Sequence, residues 1–293
     1  MLEITEYTDP ICSWAWGSEP KLRLLRWRYE GSTSWRRVMG GLVGDSSSRR
    51  PDWDPILAAK PMPEYWKKVT QKTGAPYPFA MHYMLRSTDP AGRAVKAAER
   101  QGEAVAEAVL RRLRETTFIF GRPPGEHDQI LAAVAGVRQL DIARLEADLS
   151  DATVAAAYEA DWTETRKPND HVRHLEGDWM GIGNLKHSEG HDRYAFPTLI
   201  FSGSTGECTV PGWMPFDAYE AAMDEAEPGS TAEARPDPTP TEAFDRWPML
   251  TPVELDLLCG AGAKVPEGVV SYDWGDGVVY MTDAEATATS GLP

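Results

Sequence analysis

Near its start the chain reads Tyr7-Thr8-Asp9-Pro10-Ile11-Cys12-Ser13-Trp14-Ala15-Trp16-Gly17. The short run before it alternates between apolar and polar residues and predicts a strand. Asp9-Pro10 ends that strand, because proline cannot donate a hydrogen bond to a sheet. The apolar spacing after Trp14 predicts a helix. Cys12 is therefore expected at a helix N-terminus, where free N–H groups and the helix dipole lower the pKa of a thiol.

The stretch from Asp9 to Gly17 resembles the active-site turn of the DsbA-like family of the thioredoxin superfamily. Relatives in that branch include the intracellular DsbA-family oxidoreductases, 2-hydroxychromene-2-carboxylate isomerases and kappa-class glutathione transferases. The family motif is Asp-Pro-x-Cys-x-Trp-Cys-Trp-Gly, and Ala15 stands where that motif has its second cysteine. A dithiol redox cycle needs a resolving thiol at that place. The resemblance therefore implies a chemistry that uses Cys12 alone.

The order of predicted elements also resembles that family: a βαβ unit, a helical insertion, then ββα. The stretch 87–102 resembles the family's helical insertion. We predict an α/β, thioredoxin-like fold with a large helical insertion (about 50–190) within a domain at 1–227. A linker at 228–240 and a small helical, winged-helix-like unit at 241–293 follow, with a frayed tail from Ala284.

The candidate site is built around Cys12 as the nucleophile. The resemblance assigns Pro197 as the cis-proline that faces it. Ser13 either offers its N–H to a thiolate or caps the helix. Trp14, Phe196 and Thr198 are expected to line a substrate pocket. His82 and Tyr83 are candidates for an acid or base, although a histidine with no catalytic role is the more common outcome for His82.

A polar loop is predicted over 166–193, and it holds His171, His174, His187 and His191. Their spacings would permit a metal, but a loop lacks the helix that fixes ligand geometry, so no metal site is predicted. Cys208 and Cys259 are interpreted as structural, because no helix N-terminus is predicted beside either one. Cys12 is therefore expected to be the most reactive of the three cysteines near neutral pH.

Composition restricts the classes of function. The net charge of −15 opposes nucleic acid and anionic membranes as partners. No stretch approaches the roughly 20 apolar residues that a membrane helix needs. The three cysteines are far apart and the start of the chain has no signal-peptide pattern, so a reducing cytoplasm is the expected location.

Three functions of different class remain open. The first is a thiol-dependent oxidoreductase or isomerase with no tightly bound cofactor, in which mycothiol or glutathione resolves an adduct on Cys12. The second is a non-catalytic adaptor that binds a protein partner. The third is a tailoring or binding protein for a hydrophobic or electrophilic small molecule. The oligomeric state is not predicted.

Overall fold

A computed structural model describes residues 1–44, 52–274 and 277–290 of the chain. The sequence also predicts a loop with one short helix at 46–63 and a hairpin turn around Gly275-Asp276-Gly277. Residues 45–51, Gly275 and Asp276, and residues 291–293 of the predicted tail lie outside the described residues.

The fold begins with strand β1 (Leu2–Thr8), helix α1 (Ser13–Arg28) and strand β2 (Thr33–Met39), as predicted. The helical insertion follows. It consists of α2 (Pro55–Ala59), α3 (Met62–Thr73), α4 (Asp89–Glu99), α5 (Glu103–Phe118), α6 (His127–Val134), α7 (Ile142–Leu149), α8 (Ala152–Thr165) and α9 (Asp170–Arg173). In the sequence the apolar stripes of two helices are interrupted at Gln101-Gly102, which predicts a break there. The structure has this break between α4 and α5 at Gly102, whose φ of 127° suits glycine and few other residues.

Strands β3 (Lys186–Ser188) and β4 (His191–Arg193) come next, and β5 (Thr198–Gly203), β6 (Gly206–Pro211) and α10 (Phe216–Ala226) complete the first unit. The main sheet has the order β2-β1-β5-β6. Strand β1 is parallel to β2 and antiparallel to β5, so that Tyr7 lies opposite both Val38 and Thr198. This thioredoxin-like α/β topology brings the turn after β1 next to the residues that precede β5.

Two sequence-based expectations are wrong in detail. The stretch 166–193 is not a plain loop, because it contains α9 and the β3–β4 hairpin. The end of the chain is not frayed from Ala284, because residues Asp283–Thr289 form helix α13, capped by the Thr282 side chain. Both segments are too short and too polar to carry a clear periodic pattern.

The C-terminal region contains α11 (Pro240–Arg246), β7 (Met249–Leu250), α12 (Pro252–Cys259), β8 (Val269–Trp274) and β9 (Gly277–Thr282), ahead of α13. Its three strands form a sheet of their own, in the order β7-β9-β8. Its core is shared with α1, since Leu24 and Trp27 pack with Phe244 and Leu258. Residues 228–239 have neither helix nor strand but are held to α1, where Trp27 Nε1 donates to the Pro236 carbonyl at 2.7 Å.

A buried charged seam joins α1, α5 and α12. It comprises Glu19, Arg23, Arg111, Arg114 and Glu254. Arg111 donates to both carboxylate oxygens of Glu254 at 2.7 and 3.0 Å, and Arg114 pairs with Glu19. Because a buried charge is costly unless it is paired, this seam requires all its members together.

Candidate functional site

The turn between β1 and α1 is held by a buried carboxylate. Asp9 Oδ1 accepts a hydrogen bond from the Ile11 N–H at 3.0 Å, and Oδ2 accepts one from the Leu42 N–H at 2.7 Å. Burial raises the pKa of Asp9, and these two N–H groups oppose that rise. The turn and the end of β2 are thereby fixed to one another, and Cys12 takes the N-cap position of α1.

Cys12 faces the peptide bond that the sequence singled out. The Phe196-Pro197 bond is cis, as predicted. Cys12 Sγ lies 3.2 Å from the Phe196 carbonyl oxygen and donates its S–H to it. Cys12 and the Phe196-Pro197 bond are therefore neighbours in the fold.

The ionisation expected for Cys12 is wrong. Burial raises the pKa of the Cys12 thiol, and the nearby Asp9 charge raises it further. The backbone N–H groups of Ala15 and Trp14 lower it, but they do not outweigh the loss of solvent. The helix N-terminus is present, yet only 6% of the Cys12 surface is exposed, so the neutral thiol is the favoured form.

Phe196 and Trp14 enclose this thiol. The tip of the Phe196 ring lies against Gly40, where an added Cβ would come within 2.0 Å of a ring carbon. Trp14 packs in a similar way on Gly181. Cys12 belongs to a single apolar cluster that also contains the side chains of Tyr7, Val38, Tyr194 and Ile200. Phe196 and Trp14, which the sequence predicted to line a substrate pocket, therefore belong to the cluster in which Cys12 is buried.

Several predicted site residues have other local roles. Ser13 does not cap α1, because Cys12 holds the cap position and no side-chain cap bond is made. Thr198 is fully buried and donates its hydroxyl to the Ala195 carbonyl at 2.8 Å. In the described parts of the chain, neither His82 nor Tyr83 hydrogen-bonds to Cys12. Burial lowers the pKa of His82, and the charge of the nearby Arg122 lowers it further.

Sequence reasoning missed two residues beside the thiol. Tyr65, on α3, interacts with both Cys12 and Trp14, and burial raises the pKa of its hydroxyl. Arg193 lies 4.9 Å from the Phe196 ring centroid and interacts electrostatically with Cys12 and Asp9. Neither position carries a local signal, because both are distant from the turn in the sequence and come close to it only in the folded chain.

The enclosed turn is bordered by an apolar surface, which we call the turn face: Trp14, Tyr65, Trp179 and Met180. Trp14 is half-buried, whereas Tyr65 is 50%, Trp179 50% and Met180 45% exposed. Trp179 and Met180 directly precede Gly181, on which Trp14 packs. Aromatic residues and methionine are enriched in protein interfaces.

The histidines of 166–193 do not converge. His187 Nδ1 lies 3.2 Å from an Asp192 oxygen, and the His191 ring packs edge-on against Trp162. Across the described ranges, no group of three or more His, Cys, Asp or Glu side chains is placed to hold a metal ion. Cys208 contacts Glu225, with Sγ 3.4 Å from the carboxylate, and its pKa is raised to about 11, chiefly by burial. None of the described helices is long and apolar enough to cross a membrane.

Comparison with known sequences and structures assigns this architecture. Residues 6–169 match the family model described as thioredoxin. The chain is 31% identical over 274 residues to the ClpXP adapter protein SpxH of Shouchella clausii, covering 91% of this chain and 80% of that protein. It is 27% identical over 168 residues to the ClpXP adapter protein SpxH of Halalkalibacterium halodurans, covering 57% of this chain and 55% of that protein.

Among solved structures, the cytosolic disulfide reductase DsbM from Pseudomonas aeruginosa superposes with a TM-score of 0.52 at 16% identity. The match covers 78% of this chain and 95% of DsbM. At that identity the similarity shows a shared fold and leaves the activity of this chain open.

Proposed function

We propose that this chain is a non-catalytic adaptor. The chain belongs to the DsbA-like family of the thioredoxin superfamily, and it is similar to the SpxH protein of Shouchella clausii. In this proposal it presents a bound client protein to the ClpXP protease. The observation that carries the proposal is the enclosed thiol: Cys12 is buried, donates its S–H to the Phe196 carbonyl, and has Ala15 as its neighbour. The names of the related proteins support the same role.

The enclosed thiol argues against disulfide exchange because that reaction needs an accessible thiolate. Here the thiol is neutral and its hydrogen is engaged. Only 6% of the Cys12 surface is exposed, so a disulfide substrate has little access to Sγ. Ala15 then leaves no second thiol in the turn to release a mixed disulfide. The scaffold of an oxidoreductase is retained without the features that the exchange reaction uses.

The turn face supplies a surface for the client. Its three exposed members are large side chains, and they lie beside a rigid sheet end fixed by Asp9. Such anchors contribute most of the binding energy in many protein interfaces. The client is therefore expected to cover Trp179, Met180 and Tyr65 when it binds.

The test separates adaptor function from thiol chemistry in a deletion strain of the source organism. Proteins whose half-lives lengthen in the deletion strain and in a ClpX-deficient strain are identified by quantitative proteomics, and one is followed by pulse-chase. We expect Cys12→Ser to restore its degradation fully. The double variant Trp179→Ser/Met180→Ser should leave it as stable as in the deletion strain.

The matched control is Ile142→Ser, which removes an apolar side chain of similar exposure (39%) from the start of α7, and it should restore degradation. Failure of Cys12→Ser to restore degradation, with the folded protein present at normal level, would show that the thiol is required and would contradict the adaptor proposal.

One observation favours a second candidate, monothiol exchange: Cys12 holds the N-cap of α1 and lies against the residue that precedes Pro197. In that reaction the Cys12 thiolate attacks the S–S bond of mycothiol disulfide or glutathione disulfide. A mixed disulfide forms on Cys12 and one small thiolate leaves. The thiol of a different substrate then attacks the small-thiol sulfur of that mixed disulfide, becomes joined to the small thiol, and releases Cys12 as the thiolate.

Intact-mass analysis after incubation with either disulfide tests this candidate. An adduct on Cys12 that forms faster than adducts on Cys208 and Cys259 would support it. A chain modified only at Cys208 or Cys259 would exclude it.

A further inference from the structure

A cleft of about 160 Å³ lies between α5 of the insertion and the C-terminal region. Its walls come from α5, from the loop after α6, from the α11–β7 connection and from α13. The turn face contributes no residue to it. The cleft therefore forms only because the C-terminal region packs on the insertion.

Five arginines line this cleft in a chain whose net charge is −15: Arg23, Arg111, Arg112, Arg138 and Arg246. Arg111 and Arg112 are engaged with Glu115, Glu254 and Glu285. The remaining lining carboxylate, Glu107, pairs with Arg26 at 3.7 Å. The acidic groups of the cleft are thus already compensated by neighbouring arginines.

Two of the lining arginines, Arg138 and Arg246, keep donors for a ligand. Among the described residues, Arg138 donates one hydrogen bond, to the Asp245 carbonyl at 2.8 Å, and forms no ion pair. Arg246, which also lines the cleft, pairs with Glu30 through one nitrogen and lies over the Trp247 ring, 5.1 Å from its centroid. Arg23 is buried and already engaged, because it pairs with Glu254 at 3.3 Å and donates to the Met249 carbonyl at 3.1 Å.

The rest of the wall is apolar. Val137, Trp247, Pro248 and Met249 line the cleft together with two alanines of α5, Ala104 and Ala108. A cavity of roughly 150 Å³ with apolar walls is large enough to hold a benzene ring. The cleft thus fits a small ligand that has a compact apolar group and an anionic group, with the anionic group near the arginines.

We propose that this cleft binds a small carboxylic acid as its anion, with the apolar body against Trp247 and Met249 and the carboxylate between Arg138 and Arg246. A guanidinium matches a carboxylate through two parallel N–H bonds, which a neutral ligand cannot replace. The proposal concerns a surface distinct from the turn face and does not depend on the adaptor role. The same chemistry is offered by a free small acid and by the C-terminal carboxylate of a peptide that ends in an apolar residue.

Isothermal titration calorimetry of the full chain tests the site. Phenylacetate is expected to bind saturably, and phenylacetamide, of the same shape without the charge, is expected not to. A short peptide ending in Phe with a free carboxylate is compared with its C-terminal amide. Tighter binding of the free-carboxylate peptide than of phenylacetate would assign the site to a protein C-terminus, and the reverse to a small acid.

Two variants locate the binding. Arg138→Gln should weaken it by about tenfold or more, the usual scale for a lost charged hydrogen bond. Ala104→Trp, at an exposed position of the first turn of α5, should fill the cleft and abolish it. The control Arg144→Gln removes an exposed arginine of α7 and should change nothing. Equal binding of phenylacetamide and phenylacetate, or unchanged binding in Ala104→Trp, would overturn the proposal.

Discussion

Two ionisable groups on one helix, Cys12 at its cap and Glu19 about two turns later, are both buried and yet respond in opposite ways. The pKa of Cys12 is raised, with burial as the largest cause. Burial also raises the pKa of Glu19, but the charges of Arg114, Arg111 and Arg23 outweigh it and bring that pKa to about 2. The turn contains apolar neighbours and the seam contains arginines. The partners of a buried group, more than its depth, decide whether it is charged.

The largest effect should follow from breaking the seam. Glu254→Ala leaves Arg111 and Arg23 without their shared carboxylate and should lower the free energy of unfolding by about 3–5 kcal/mol. The control lies one helix earlier in a second capping box. Glu242 forms a capping box with Thr239 at the start of α11, as Glu254 does with Thr251 at the start of α12. Glu242 is exposed, whereas Glu254 is buried.

Glu242→Ala should therefore cost about 1 kcal/mol, the value of the cap alone. Urea denaturation of both variants measures the difference. Equal losses in the two variants would mean that the arginines of the seam do not depend on Glu254.

The next effect is a pH dependence. The pKa of Glu19 is about 2 in the folded protein against an ordinary value of 4.5. A lowered pKa gives stability that is fully present above pH 4.5 and is lost as the pH falls through 2. The difference in unfolding free energy between the wild type and Glu19→Gln should therefore shrink on acidification, on the order of 3 kcal/mol in total. Chemical denaturation of both proteins between pH 7 and 2 measures it. A difference that stays constant would show that Glu19 is not ionised by the arginines.

The smallest effect concerns the turn. Ala15 is fully buried, so Ala15→Cys should cost about 1–3 kcal/mol through overpacking. It restores the family's second cysteine, and a disulfide between Cys12 and the introduced thiol should then form under a mild oxidant. Counting free thiols before and after oxidation, with Cys12→Ser/Ala15→Cys as the control, measures this. If the single variant loses no thiols, the burial of Cys12 prevents it from forming a disulfide even with the cysteine introduced in the same turn.

Local and nearest-neighbour features were predictable from the sequence. The strand–turn–helix at Cys12, the parallel pair β1–β2 and the α4–α5 break at Gly102 each follow from a short pattern. The cis peptide at Pro197 followed from the family resemblance of the Asp-Pro-x-Cys motif. These features depend on residues close in the chain or on a single recurring topology.

What the sequence could not predict depends on distant residues that meet only in the fold. The pKa of Cys12 is raised chiefly by its burial in the folded protein, so the helix N-terminus alone predicts the wrong direction. His82, a predicted acid or base, interacts with Arg122. The ionisable side chain of α3 that interacts with the thiol is Tyr65. The arginine-lined cleft likewise exists only where α5 meets the C-terminal region.

The close packing of Phe196 against Gly40 has an evolutionary consequence. Any side chain at position 40 would occupy the space of that ring, since even a Cβ would lie 2.0 Å from it. Whether the thiol is accessible therefore depends on residues 40 and 196 together, and neither of them belongs to the cysteine motif. A lineage could regain an open thiol, or lose one, while the motif itself stayed unchanged. Among relatives, residues 40 and 196 have to be compared as a pair before a conserved cysteine is taken as a sign of chemistry.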